Sequence, residues 1–73
     1  MIMTREFFSF VQSATPAELY VRRDRLYEAR RDLKKVKGAS AYLAEVNGAI
    51  RAIDEELSAR AGVSAPRESR SGR

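Results

Sequence analysis

The segment Thr15-Pro16-Ala17-Glu18 fixes the start of a helix, and it constrains the fold more than any other part of the chain. Thr15 is a typical N-cap residue, Pro16 suits the first helical position because it has no N–H to leave unpaired, and Glu18 completes a capping box. The chain has 73 residues and no cysteine, so it has room for one small core and no disulfide to support it. We therefore expect the fold to depend on packing between regular helices.

The helix that begins at Pro16 is predicted to span residues 16–37, with Gly38 as its C-terminal cap. One face carries leucines at seven-residue spacing: Leu19, Leu26 and Leu33. Arg22 occupies a position of that stripe where an apolar residue is expected. Its side chain either lays its aliphatic stem along the end of the bundle or anchors a binding partner.

A second long helix is predicted over residues 39–61, with Ser40 as N-cap and Gly62 as its end. Apolar residues recur along it every three or four positions: Leu43, Val46, Ile50, Ile53 and Leu57. The dipeptide Asn47-Gly48 is also typical of a β-hairpin turn. The helical period and the surrounding alanines favour a helix, in which Gly48 costs about 1 kcal/mol and indicates close approach of another helix.

A short helix over residues 5–13, capped by Thr4, precedes the hairpin and is predicted to pack across its open side. Its apolar face contains Phe7, Phe10, Val11 and Ala14, whereas Phe8 lies off that face and is a candidate partner anchor. The predicted fold class is all-α: a helical hairpin with a short N-terminal helix, forming a three-helix mini-bundle over residues 1–62. Residues 63–73 are rich in Ser, Arg, Gly and Pro, which predicts a disordered basic tail.

Positive charge is concentrated in one segment of the chain. The net charge is +4, but residues 22–37 alone contain eight Lys and Arg against three acidic residues. The candidate partner-binding residues are Phe8, Arg22, Arg23, Arg25, Arg30, Arg31, Lys34 and Lys35. Three interpretations remain open for the basic residues: a solvated face that can pair with Asp24, Glu28 and Asp32 or face the acidic third helix, a surface for an acidic protein, or a surface for nucleic acid. Tyr20, Tyr27 and Tyr42 either flank the hairpin seam or form an aromatic strip beside the arginines.

The composition argues against catalysis. The chain has no cysteine and no histidine, so a thiol nucleophile and the commonest general base are both missing. The acidic run Asp54-Glu55-Glu56 is interpreted as a solvated helix face, since consecutive residues on a helix point in different directions. We expect a protein that is not an enzyme, with no cofactor, no metal and no membrane segment, because the longest apolar run is far too short to span a bilayer.

An Ala- and Arg-rich helical chain of 73 residues, free of Cys and His and ending in a basic tail, resembles the small transcription regulators of bacteriophages, including those of Xanthomonas, that bind the host RNA polymerase. The resemblance lies in the whole chain and assigns no individual residue. It implies binding near the N-terminal region of the β′ subunit and the RNA exit path, with nucleic acid nearby, in the host bacterial cytoplasm. It further implies inhibition of promoter initiation and antitermination by a monomer or weak homodimer. The alternative is a helical-hairpin homodimer that acts as a phage anti-activator or assembly factor.

Overall fold

The structure, a computed structural model, describes residues 2–64, and its side chains are described as far as residue 61. This part of the chain is all-α, as predicted. It contains three helices: α1 (Arg5–Ser13), α2 (Pro16–Leu33) and α3 (Ser40–Ser64). Contacts of Arg23 with Asp54 and of Arg30 with Asn47 show that α2 and α3 are antiparallel. The short helix α1 packs mainly against α3.

Side-chain caps fix the beginnings of the first two helices. Thr4 Oγ1 accepts a hydrogen bond from the N–H of Phe7 at 3.1 Å, which begins α1. Thr15 Oγ1 accepts from the N–H of Glu18 at 3.2 Å, and the Glu18 carboxylate accepts from the N–H of Thr15 at 2.8 Å. The predicted capping box is confirmed, and it satisfies two N–H groups that would otherwise lack partners at the start of α2.

All three helices contribute apolar side chains to one core. Its buried members are Phe7, Val11, Ala14, Leu19, Leu26, Val46, Ala49, Ile50 and Ile53. On each helix, the apolar face predicted from the residue spacing is the face that the core buries, although Leu33, Leu43 and Leu57 are only partly buried. The core draws one face from each helix, which is how a hairpin and a short third helix cover each other's apolar surfaces.

Residues Asn47-Gly48 lie inside α3, so the helical interpretation is confirmed over the hairpin turn. A Cβ placed on Gly48 would lie 3.7 Å from Met3 Cε, an ordinary van der Waals distance. The neighbour is therefore a side chain of the N-terminal segment and not another helix, and that part of the prediction is wrong. The carboxylate of Glu45 fixes this segment on α3 by accepting a hydrogen bond from the N–H of Ile2 at 2.6 Å.

The helix α2 ends at Leu33, one turn earlier than the predicted end at residue 37. Beyond Leu33 the N–H groups of Lys35 and Val36 bond to carbonyls three residues back instead of four. Such tighter turns satisfy the last carbonyls of a helix while they change the direction of the chain. Gly38, with φ of 84°, lies in the connection to α3 and is not the cap of α2.

Both predicted ends of α3 differ from the structure. Ser40 is the first helical residue, and Ala39, whose carbonyl accepts from the N–H of Leu43 at 2.9 Å, takes the N-cap position. Ala39 is buried whereas Ser40 is exposed. The helix continues through Gly62 to Ser64, so the first two residues of the predicted tail are helical. The rest of that tail, residues 65–73, lies outside the described residues.

Candidate functional site

Arg22 covers an aromatic ring of the neighbouring helix. Its guanidinium carbon lies 4.3 Å from the centroid of the Phe10 ring. This distance is well within the range of a cation–π contact, in which the negative ring face attracts the cation. The half-buried Arg22 side chain therefore joins α1 to α2, and its charged end is held in one place at the surface.

Arg23 is tied to α3 and to two tyrosines of its own helix. Its Nη1 donates a hydrogen bond to Asp54 Oδ1 at 2.6 Å, forming an ion pair that is partly exposed on both sides. This hydrogen bond raises the pKa of Arg23 further above its usual value. The guanidinium also lies 5.0 Å from the ring centroid of Tyr20 and 5.8 Å from that of Tyr27. Arg23 therefore joins α2 to α3, and its charge is paired within the chain, although its buried Nε has no hydrogen-bond partner among the described residues.

Arg30, seven residues after Arg23, likewise contacts a tyrosine of α2 and a side chain of α3. Its guanidinium carbon lies 4.9 Å from the centroid of the Tyr27 ring, and its Nη1 donates to Asn47 Oδ1 at 3.2 Å. Asn47 is neutral, so the charge of Arg30 is not neutralised by this contact. Tyr20, Arg23, Tyr27 and Arg30 thus form a series of stacked side chains on the edge of α2 that borders α3.

The other predicted basic residues, Arg25, Arg31, Lys34 and Lys35, are exposed. Pairing along α2 with Asp24, Glu28 and Asp32 does not occur: the ion pairs in the described part of the chain are Arg23–Asp54 and Arg60–Glu56. Pairing within α2 is therefore not what the structure shows, whereas a pairing with the acidic third helix, also expected, is found for Arg23. Arg23 instead pairs across to α3, while these four cations remain open to a partner.

A shallow groove lies where the end of α1 meets the first half of α2, and we call it the docking groove. It is lined by Phe10, Ala17, Glu18, Val21, Arg22 and Arg25. Val21 is 55% exposed, although valine is an apolar residue. The groove thus combines an exposed apolar side chain with two arginines, one of them held over the Phe10 ring, and with a single acidic residue.

Phe8 lies apart from the basic residues. It is 44% exposed, as predicted, and its ring contacts the edge of Phe7 with centroids 5.7 Å apart. It lines a second groove, between α1 and α3, together with the acidic residues Glu55 and Glu56. The candidate residues identified in the sequence therefore do not form one site, because Phe8 lies on a different, acidic surface.

The acidic run on α3 is used within the fold and is not only a solvated face. Asp54 pairs with Arg23, and Glu56 Oε2 accepts from Arg60 Nε at 2.8 Å. Arg60 also donates to the carbonyls of Ala14 at 2.7 Å and Val11 at 3.1 Å, which belong to the end of α1. Sequence reasoning missed the contacts of Arg60 with α1, because these partners are 46 or more residues apart and no local pattern joins them.

Val21 was missed for a different reason. It does not fall on the seven-residue spacing of the leucine stripe of α2, so the helical pattern places it on no face of the core. The available signal was an apolar residue next to Arg22 on an otherwise charged helix. Single exposed apolar residues are common, so the signal becomes informative only once the groove is seen.

Two general features of the described residues bear on function. No group of acidic, histidine or cysteine side chains among them is arranged to hold a metal ion. In the same part of the chain, no helix is both long enough and apolar enough to cross a membrane.

Comparison of the chain with family models, with curated proteins and with solved structures finds no match.

Proposed function

We propose that the chain is a phage-encoded transcription regulator that acts by stoichiometric binding to the bacterial RNA polymerase of its host, not by catalysis. The docking groove receives an acidic surface of the polymerase. The observation that carries this proposal is the combination of Arg22, held over Phe10 at 4.3 Å, with the exposed Val21 and Arg25 beside it.

The geometry of the docking groove is suited to a protein partner. Arginines contribute strongly to protein interfaces, and an arginine already held in place loses less side-chain entropy on binding. Val21 is 55% exposed, so burial of its remaining surface by a partner would contribute about 0.8 kcal/mol by the hydrophobic effect. The two arginines outnumber Glu18 in the groove, so an acidic partner surface has the complementary charge.

The identity of the partner as RNA polymerase rests on the resemblance to phage regulators. On this proposal the chain binds near the N-terminal region of β′ and the RNA exit path in the host cytoplasm. Binding there inhibits promoter initiation and promotes passage through terminators.

The test is direct binding between the tagged full-length chain and purified bacterial RNA polymerase, followed by transcription from a promoter and across a terminator. We expect the chain to co-migrate with polymerase, to crosslink to β′, to lower initiation and to raise read-through. Val21→Asp is expected to weaken binding at least tenfold. The matched control is Ala44→Asp, because Ala44 is exposed on α3 and lines no part of the docking groove. It is expected to bind within twofold of wild type.

Three outcomes would overturn the proposal. Absence of binding to polymerase removes the partner, and equal loss in Val21→Asp and Ala44→Asp removes the docking groove. A stable homodimer in sedimentation that Val21→Asp dissociates would assign the groove to a second copy of the chain, as the anti-activator or assembly-factor alternative requires.

A further inference from the structure

The strongest local charge in the described residues lies at the end of α2 and in the turn that follows it. Residues 30–37 contain five Lys and Arg and one acidic residue, Asp32, which gives a net charge of +4 over eight residues. We call the exposed cations of this segment the turn patch: Arg31, Lys34, Lys35 and Lys37. The chain reverses direction here, so the patch forms one end of the helical hairpin.

The charge of the turn patch is not neutralised by the fold. The two ion pairs within the described residues, Arg23–Asp54 and Arg60–Glu56, involve none of the patch residues. Arg30, at the edge of the patch, bonds to the neutral side chain of Asn47. Four like charges within seven residues at one end of the hairpin repel one another, so a polyanion that approaches them is attracted more strongly than by scattered surface charges.

An exposed aromatic ring lies beside the segment Asp32-Leu33, which separates Arg31 from Lys34 in the turn patch. Tyr42, in the first turn of α3, is 57% exposed. It lines the same groove as Asp32 and Leu33, which belong to the last turn of α2. Tyr42 therefore offers a surface for stacking at the border of a cationic segment, and this combination is typical of proteins that bind single-stranded nucleic acid.

We propose that the turn patch binds the phosphate backbone of a single-stranded nucleic acid and that a base stacks on Tyr42. This surface is separate from the docking groove, which occupies the first half of α2, and the two can be tested independently. A single strand fits better than a duplex, because its bases are free to stack on the ring. An anionic membrane fits less well, since the segment exposes little apolar surface besides Val36 and Tyr42.

The proposal predicts a specific dependence on salt. Each phosphate that a cation of the protein neutralises on a single strand contributes about −0.7 to the slope of log K against log salt concentration. Full use of the four patch cations therefore predicts a slope of about −2.8, and removal of two of them predicts a slope less steep by about 1.4.

The experiment measures fluorescence anisotropy of labelled fifteen-nucleotide oligo(U) and oligo(dT) with the purified full-length chain at a series of NaCl concentrations. The patch variant is Lys34→Gln/Lys35→Gln. Its matched control is Arg5→Gln/Arg51→Gln, which removes the same charge from two other exposed positions, one at the start of α1 and one well inside α3. We expect the patch variant alone to lose affinity and to reduce the slope by about 1.4. Circular dichroism checks that all variants stay helical.

The stacking part of the proposal has its own pair of variants. Tyr42→Ala is expected to weaken binding about fivefold or more, whereas Tyr42→Phe keeps the ring and stays within twofold of wild type. Equal weakening by both would show that the hydroxyl, and not the ring, makes the contact, and would overturn the stacking.

Other ligands define the remaining outcomes. Equal loss of affinity in the patch variant and its control would mean that only the net charge matters, and the proposal fails. It also fails if the chain binds duplex DNA, or vesicles of phosphatidylcholine and phosphatidylglycerol, more tightly than single strands. Since no polymerase is present in these measurements, their failure leaves the proposed function standing, and failure of polymerase binding leaves this proposal standing.

Discussion

Replacement of Arg60 by methionine tests whether one side chain of α3 holds α1 in place. The Arg60 guanidinium donates to the carbonyls of Val11, Gln12 and Ala14 at 2.7–3.3 Å, and α1 has no basic residue in its own last turn. The cation therefore satisfies carbonyls that the end of a helix leaves without partners, and it opposes the negative end of the helix dipole. Arg60→Met keeps most of the aliphatic stem and removes only these polar contacts.

The magnitude follows from the number and the exposure of these contacts. A hydrogen bond to a charged group contributes about 1.5–3 kcal/mol when it is well shielded. The Arg60 side chain is 29% exposed, so water replaces part of what is lost, and the carbonyls do not remain unsatisfied. We therefore expect Arg60→Met to lower the free energy of unfolding by about 1–3 kcal/mol in total. For a domain of this size, a loss of 1 kcal/mol lowers Tm by about 4–8 °C.

The assay is urea and thermal denaturation followed by circular dichroism. Arg51→Met is the matched control, because Arg51 is exposed on the same helix and should change stability by no more than about 0.5 kcal/mol. Glu56→Gln removes the ion pair but keeps the contacts with α1, and it should cost about 0.5 kcal/mol or less. Equal stability of Arg60→Met and Arg51→Met would refute the capping of α1 by Arg60.

Four further substitutions should change the free energy of unfolding measured in urea. Gly48→Ala should raise it by about 1 kcal/mol, because the new methyl group meets only Met3 at an ordinary distance; Gly38→Ala should lower it by about 1 kcal/mol, because φ there is 84°. Thr15→Ala should cost about 1 kcal/mol through loss of the capping box, and a cost near zero would contradict that role. Ile53→Ala should cost about 2–5 kcal/mol, enough to unfold much of the chain at 25 °C, since Ile53 is fully buried.

The helices and their buried faces could be predicted from the sequence because local rules determine them. Thr4 and Thr15 identify two helix starts, and the spacing of Leu19 and Ile53 with their neighbours identifies the faces that become the core. The ends were harder to predict. Lys34 and Lys35 have good helical propensity, yet the chain turns there through i→i+3 bonds, and Ala39 instead of Ser40 takes the cap position.

The candidate site depended on contacts that no local rule gives. The sequence shows a helix with many arginines, but it does not distinguish Arg23, paired with Asp54 thirty-one residues away, from Arg25, which is exposed. The docking groove likewise needs Phe10 of α1 to lie under Arg22 of α2. Charge and composition alone therefore could not separate the cations that the fold pairs from those it leaves exposed, and that distinction required the arrangement of all three helices.

The most direct test of whether Arg23 is used by the fold and Arg25 by a partner compares Arg23→Gln with Arg25→Gln. These variants remove the same charge from positions two residues apart on α2. The free energy of unfolding and the Kd for purified bacterial RNA polymerase are measured for both, at a temperature where both are folded. Arg25→Gln should weaken binding about tenfold, as expected for an interface arginine, and leave stability within about 0.5 kcal/mol. Arg23→Gln should lose up to about 1 kcal/mol of stability and bind within twofold of wild type. Equal effects of the two variants on Kd, or no binding by the wild-type chain, would contradict the assignment of Arg25 to a polymerase-binding surface.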